Sequence, residues 1–392
     1  MALAHPLALI LTASKDTTAK LWDASNGNCL NTFTGHYHQL LCAVFSPDGT
    51  KLLTIAVNNE AKVWSVTSAN CMFTLSPAAI AVNTAEFRPD GNQVLTSGGM
   101  VSLWNAKSGE HMITLGVPGG YGTIASFSPS GKQVLQVSTD RTPKLWCASS
   151  GKCIAEFKGH KGQINSAVFS PDGKSLLTAS EDITAKLWDV DSQKCVRTFE
   201  GHQSRLVSAT FSSDGRHLLT VGGLIIKLWN ISLDQCLHTI ESPAEWNSLR
   251  SAVLSWENKR VLTTSTDGKA RMWSIEENKC LCTFEGHKGK IIASDFRSSS
   301  DHVLTASTDM TAKLWNAATG ECLVTFEGHQ DSVVSLSVAA AGKNSQNHVD
   351  MQCENVLMHE TWKRSWKLKR LQFDERICFL DCDILSQQII QT

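Results

Sequence analysis

The sequence predicts an all-β protein whose small sheets repeat along the chain and stack into a closed ring. Three observations carry that reading. Trp22, Trp64, Trp104, Trp146, Trp188, Trp229, Trp273 and Trp315 recur at intervals of 40 to 44 residues, a period that marks a repeat architecture. The stretch from Gly159 to His202 is the fullest copy of the unit, and the other copies are measured against it. Residues 328–343 then supply a piece of the unit that the start of the chain lacks.

Within residues 159–202, INSAVF alternates small and apolar residues and is short, as a buried strand should be. SPDG follows, a turn built on the fixed φ of proline, an Asp that bonds its own backbone and a Gly free to take positive φ. KSLLTAS reads as a second strand, Glu181-Asp182 as a tight turn, TAKLWD as a third strand, VDSQK as a polar loop and CVRTF as a fourth, more amphipathic strand. Four antiparallel strands buried on both faces are not stable alone and must stack. Ring closure lets them stack while leaving only short edges.

Gly-His, SPDG, Ser-x-Asp and Leu-Trp-Asp in this order resemble the WD-repeat (WD40) β-propeller family over about residues 5–343. The resemblance implies an eight-bladed propeller over residues 1–343, followed by a non-repeat extension at 344–392. It also implies a hydrogen-bonded set in each blade that links the Gly-His histidine, a second-strand Ser, the turn Asp and the Trp. Residue chemistry agrees, because an indole N–H only donates, a hydroxyl accepts it and passes a bond on, and a carboxylate holds an imidazole N–H.

Taken in order, blade one (residues 5–34) has Ser14, Asp16 and Trp22 but no first strand and no Gly-His before them. Blade two has His36, with Ala56 and Asn58 where Ser and Asp belong. Blade three has Ser76-Pro77 for Gly-His and a turn shortened at 97–99. Blade four has Val117-Pro118 for Gly-His and keeps Ser138, Asp140 and Trp146. Blade five is complete, with His160, Ser180, Asp182 and Trp188. Blade six has His202 but Val221-Gly222-Gly223 at the turn, and blade seven has Ser242-Pro243 but keeps Ser265, Asp267 and Trp273. Blade eight is complete, with His287, Ser307, Asp309 and Trp315. Blades two, three and six are thus expected to have lost most of the set. GHQDSVVSLSVAAAGK, residues 328–343, repeats the Gly-His, first strand and turn of GHKGQINSAVFSPDGK. Strand 332–338 is expected to pair with residues 7–13, complete blade one and bring His329 to Ser14, Asp16 and Trp22. The competing reading, a broken ninth unit, requires 332–338 to be unpaired.

A formal net charge of −1 gives no global field to recruit nucleic acid or acidic membranes. Cys29, Cys71, Cys153, Cys195, Cys236, Cys280 and Cys322 recur a fixed step after the tryptophans. They are expected to be unpaired small apolar residues of one strand, at home in a reducing compartment. MALAHPLALILTASKD has an apolar core but no basic leader, and it overlays the repeat strand at 175–189. No run of the sequence is long and apolar enough for a transmembrane helix. In the extension, Lys363, Arg364, Lys367, Lys369 and Arg370 surround Trp362 and Trp366, an i, i+4 pair. The segment reads either as a helix or strand packed on the propeller, or as a basic docking element. Trp246 and Trp256 lie off the repeat position and read as core fillers or loop anchors.

The Ser-His-Asp combinations occur in several copies, whereas an active site needs one. His36 and His38 find no third metal ligand nearby, and no glycine stands five residues before Gly173-Lys174-Ser175 as a phosphate loop requires. Neither catalysis nor a cofactor or metal is expected. The family resemblance implies a partner on the narrow face around the channel. Carried onto this chain, its strand positions are Leu41, Asn83, Thr123, Asn165, Val207, Arg250, Ile292 and Val334, and its turn positions Lys15, Thr139, Glu181, Thr266 and Thr308. One Arg, one Lys and one Glu among small polar and aliphatic residues disfavour phosphopeptides, which would need converging arginines. The expected function is a non-catalytic scaffold that binds proteins or peptides, an intracellular, cytoplasmic or nuclear monomer within a larger complex. Alternatives are a substrate receptor or adaptor in ubiquitin ligation, and nucleic-acid association through the basic tail.

Overall fold

The computed structural model describes residues 9–76, 82–116, 124–242, 249–296 and 301–339. Among these there is no helix, and the strands form eight four-stranded antiparallel sheets. Each sheet packs on the next in chain order and the eighth packs on the first, so the sheets are blades of a ring. The architecture is an eight-bladed β-propeller.

Blade five shows why this sequence makes a blade. Its first strand, Ile164–Phe169, turns back through Ser170, whose Oγ donates to Asp172 Oδ1 at 2.6 Å and accepts the Ser175 N–H at 2.9 Å. Gly173 takes a φ of 72°, the left-handed conformation the turn demands. The second strand, Ser175–Ser180, is buried on both faces after its first residue, because another sheet lies on either side. The third strand, Ala185–Asp189, pairs with it through Leu176↔Trp188 and Ala179↔Ala185. The fourth, Cys195–Phe199, is the outer edge and buries mainly Phe199.

The cores lie between blades. Leu177, Ala179, Ala185, Leu187 and Phe199 of blade five pack with Leu206, Ala209, Leu218 and Trp229 of blade six. Stacking therefore buries what a lone blade would expose. Connections between strands one and two, and three and four, emerge at one end of every blade, here the lower rim. Those between strands two and three, and from strand four into the next blade, emerge at the other, upper rim.

Blade one closes the ring from both ends of the sequence. Val333–Val338 pairs antiparallel with Leu9–Ser14 through Ile10↔Val338, Thr12↔Leu336 and Ser14↔Val333. Ile10, Trp22, Val333 and Leu336 then share a core with Leu304, Leu314 and Phe326 of blade eight. The strand is paired, so the ninth-unit reading is excluded.

The repeat cysteines depart from expectation in one respect. They are free and do share the fourth strand, but their side chains are exposed. The reason is a bulge. Each is opposite the repeat tryptophan where the register shifts, as in Trp22↔Cys29 and Trp188↔Cys195. There the thiol turns outward and donates to the carbonyl two residues on, at 3.5 Å for Cys29 and 3.3 Å for Cys195.

Candidate functional site

The hydrogen-bond network under the upper rim starts from the tryptophan. In blade five, Trp188 Nε1 donates to Thr178 Oγ1 at 2.9 Å, and Thr178 Oγ1 lies 2.7 Å from His160 Nε2. His160 Nδ1 lies 2.7 Å from Asp182 Oδ2. Burial alone would raise the Asp182 carboxyl, but bonds from Thr184, His160 and the Lys161 N–H hold it far below the usual carboxylate range. An ionised Asp182 requires the proton on Nδ1, so Thr178 donates to Nε2 while accepting the indole. Blade eight repeats this with Trp315, Thr305, His287 and Asp309. Blade one repeats it with Trp22, Thr12, His329 and Asp16, so His329 bonds residues over 300 positions away, at 2.8 Å to Thr12 and 2.8 Å to Asp16.

The hydroxyl in each set is therefore a threonine, and the assignment to Ser14, Ser180 and Ser307 is corrected. The strand register decides it. Leu176 is opposite Trp188, so Thr178 is its diagonal neighbour and Ser180 is out near the turn. The serines shape the turn instead, accepting the N–H of Asp16, Asp182 and Asp309 at 3.0, 3.1 and 3.1 Å.

The imperfect copies are repaired from neighbouring positions. Blade two was expected to have lost the set, yet Trp64, Thr54 and His36 are linked at 2.8 and 2.7 Å. Glu60, two residues beyond Asn58, takes the acid's place at 3.1 Å from His36 and is also paired with Lys62 at 2.9 Å. In blades four and seven no histidine among the described residues reaches the turn acid, and a strand-three cation does: Lys144 on Asp140 at 2.7 Å and Arg271 on Asp267 at 2.6 Å. Blade three keeps Trp104 on Thr96 at 2.9 Å, with no histidine or acid joined to them among the described residues. Blade six keeps Trp229, Thr220 and His202, and the His202 Nδ1 is buried without a hydrogen-bond partner because Gly222-Gly223 brings no carboxylate. In blade four Gln136 replaces the threonine and the Trp146 indole N–H has no partner.

The upper-rim strand positions are bulge residues. The register skips Leu41, Asn83, Asn165, Val207, Arg250 and Ile292 against strand two, and Val334 in blade one. A bulge re-aims its side chain, and the aim differs between blades. Asn165 Nδ2 donates across the seam to Leu206 O at 2.8 Å. Val334 and Ile292 are buried, 2% and 8% exposed, so these two are corrected from partner contacts to packing residues, whereas Leu41 packs on the core but stays half-buried. Thr123 lies outside the described residues, as do Trp362, Lys363, Arg364, Trp366, Lys367, Lys369 and Arg370. Thr139 is exposed, and Lys15, Glu181, Thr266 and Thr308 are half-buried. Glu181 faces Arg205 at 3.6 Å, and Thr308 Oγ1 accepts the Lys290 N–H at 2.9 Å.

Sequence reasoning missed the apolar residues of this rim. Among the described residues, fourteen large hydrophobic side chains are exposed, and eight of them follow the cysteine position around the outer wall. Of the rest, Tyr37, Val57, Ile183 and Met310 are on the upper rim, with Tyr37 86% exposed. Ile183 and Met310 stand at φ 71° and 70°, a left-handed conformation that costs an L-residue about 1 kcal/mol or more. They follow the turn acid, a position outside the motif.

A ring of eight such sheets, seven of them with the tryptophan tied to a threonine hydroxyl, defines a repeat propeller. The family model for "WD domain, G-beta repeat" matches residues 27–65, 151–189, 193–230 and 278–316. Each match runs from the end of one blade to the third strand of the next, and the four blades so reached, two, five, six and eight, are those that carry a continuous Gly-His. Curated relatives match over short segments. The chain is similar to nuclear distribution protein PAC1 of Mycosarcoma maydis, with 41% identity over 46 residues, 12% of this chain and 10% of the relative. It is similar to ribosome assembly protein 4 of Saccharomyces cerevisiae, with 36% identity over 50 residues, 13% of this chain and 10% of the relative. It is also similar to nuclear distribution protein PAC1 of Cryptococcus neoformans var. neoformans, with 50% identity over 38 residues, 10% of this chain and 9% of the relative. The matched part spans about a tenth of the length of these relatives. The chain is an eight-bladed β-propeller that carries four WD40 repeats. Propellers of this kind generally serve as protein-interaction scaffolds and are typically non-catalytic. No helix of the described residues is long and apolar enough to cross a membrane.

Proposed function

We propose that the chain is a scaffold that holds a partner protein or peptide on its upper rim, within a complex inside the cell. The observation that carries this is the set of exposed apolar side chains there, Tyr37, Val57, Ile183 and Met310. They project from turns that the hydrogen-bonded sets hold in place. Isolated exposed hydrophobics need no explanation, but Ile183 and Met310 also bear backbone strain without gaining burial, and such strain concentrates at binding sites. Lys15, Glu181 and Thr139 among them give a lightly polar border of the kind that surrounds the apolar centre of an interface. The names of the matched relatives, a nuclear distribution protein and a ribosome assembly protein, are compatible with an intracellular setting.

The test is quantitative affinity purification of the intact chain beside Tyr37→Asp/Met310→Asp and Ile183→Asp variants, each checked for an unchanged melting temperature. Loss of the same partners from the upper-rim variants is expected. Full retention by all of them would overturn the reading.

A further inference from the structure

The exposed apolar side chains of the upper rim are spread over three blades. Tyr37 and Val57 are on blade two, Ile183 on blade five and Met310 on blade eight. The two large hydrophobics that remain exposed among the described residues, Leu233 and Trp256, are on the lower rim, so Trp256 is no core filler. Each upper-rim point is fixed in its blade. The turn is tied to the loop that enters the first strand, by the Val57 N–H to Gln39 O at 3.0 Å, the Glu181 N–H to Gln163 O at 2.8 Å and the Thr308 N–H to Lys290 O at 2.9 Å. Beneath it an acid holds the turn to the blade's histidine, Glu60 to His36, Asp182 to His160 and Asp309 to His287. An occupant therefore meets three rigid contacts whose separations it cannot adjust.

The ring sets those separations. Eight sheets stacked about 10 Å apart make a mid-blade circle about 80 Å round and about 25 Å across. Blades two and five, and five and eight, are three steps apart, while blades eight and two are two steps apart through blade one. The contacts are then about 23, 23 and 18 Å from one another, and their triangle encloses the channel mouth. An α-helix, about 10 Å wide, lies along one side of such a triangle and misses the third corner. An extended segment that visits all three needs about a dozen residues or more. It must be ordered over that whole length for the sake of four side chains, a loss of conformational entropy that their burial does not offset. A folded domain already holds its groups in place. The disc through the three contacts is about 500 Å² before the relief of the turns is counted, and it approaches the roughly 800 Å² per partner of a standard protein interface. Resting on the upper-rim reading above, we infer that the occupant is a folded domain of another protein, which caps the channel mouth and touches blades two, five and eight together.

The test places the photocrosslinker p-benzoylphenylalanine at Val57, Ile183 or Met310 of the intact chain in cells, with Leu30 on the outer wall as the control position, and maps the crosslinked residues by mass spectrometry. All three positions, and not the control, are expected to capture the same protein. The captured residues should be too far apart in its sequence for one linear segment of about a dozen residues to carry them. With that protein purified, Ile183→Asp should weaken binding by about tenfold or more, because a domain held at three points loses one of them. A linear segment seated on blades eight and two would not feel that change. Crosslinks from all three positions inside one short segment, different proteins at different positions, capture of a second copy of this chain, no crosslink at all, or binding unchanged by Ile183→Asp would each overturn the inference. Loss of partners by Tyr37→Asp/Met310→Asp with all crosslinks in one short segment would leave the upper-rim site standing and remove only the capping domain, whereas full retention would remove both.

Discussion

Replacing Thr178 with valine asks whether the blade network turns on threonine. The substitution keeps the β-branched shape and removes a hydroxyl that is 0% exposed. It leaves two buried groups without partners, Trp188 Nε1 at 2.9 Å and His160 Nε2 at 2.7 Å. Each orphaned polar group costs about 1–3 kcal/mol, so with two of them the blade should lose about 2–6 kcal/mol. Ser180→Ala removes one turn bond of 3.1 Å to the Asp182 N–H and should cost about 1 kcal/mol. Thr96→Val in blade three orphans only Trp104 Nε1 and should fall between them. Indole N–H exchange followed by NMR isolates each blade, and 1.4 kcal/mol per tenfold makes the Thr178→Val effect on Trp188 about 30-fold at the low end and about 20,000-fold at the high end. A chemical-denaturation midpoint measured in parallel gives the global effect. If Ser180→Ala accelerates Trp188 exchange as much as Thr178→Val does, the threonine-centred network is wrong.

Other outcomes follow from the imperfect blades. Gln136→Thr should offer the orphaned Trp146 indole an acceptor and raise the denaturation midpoint by about 1 kcal/mol; a lowered midpoint would show that Gln136 has a packing role. Burial pushes His36 and His202 down to about 4, opposed by Glu60 in the first case and reinforced by Lys227 in the second. Both histidines bind their proton in the unfolded chain first, so stability should decline as pH falls from about 6.5 towards 4, and His202→Phe should flatten that slope in urea titrations. Arg271→Leu removes the cation from Asp267, whose side chain is largely buried, and should cost about 2–3 kcal/mol; an Arg271→Leu/Asp267→Asn double variant that recovers most of the loss would confirm the pairing.

The ring was legible in the sequence because its signals are local and repeated. The tryptophan period counts the blades, the turn residues mark their ends, and the Gly-His at 328–329 identifies the closing strand. Thr178 and Ser180 were not separable by pattern, since residues two apart share a face of the strand. Only the register, Leu176 opposite Trp188, places one under the indole and the other beside the turn. Glu60, Lys144 and Arg271 escaped for a related reason. Column-by-column comparison of the copies finds a missing acid or histidine but not a neighbour that reaches the same point in space. The rim residues Tyr37, Ile183 and Met310 are outside every motif position, so no repeat-based argument could single them out.

The placement of the complete sets around the ring has a physical logic. Blades eight, one and two, contiguous through the closure, carry four-membered sets, as blade five does across the ring, while blades three, four, six and seven each lack at least one member. Blade one is the blade whose sheet is assembled from both ends of the chain, so no tight turn holds its first strand against its second. Bringing those ends together across more than 300 residues carries the largest loop-closure entropy in the molecule. His329 offsets part of it with two short bonds, and Val333 and Leu336 offset more by entering the core shared with blade eight. The neighbouring blades can hold that seam rigid only if their own networks are satisfied. Blade four, joined to its neighbours by continuous chain on both sides, tolerates Gln136 and an unpartnered indole because loss of its local order does not open the ring.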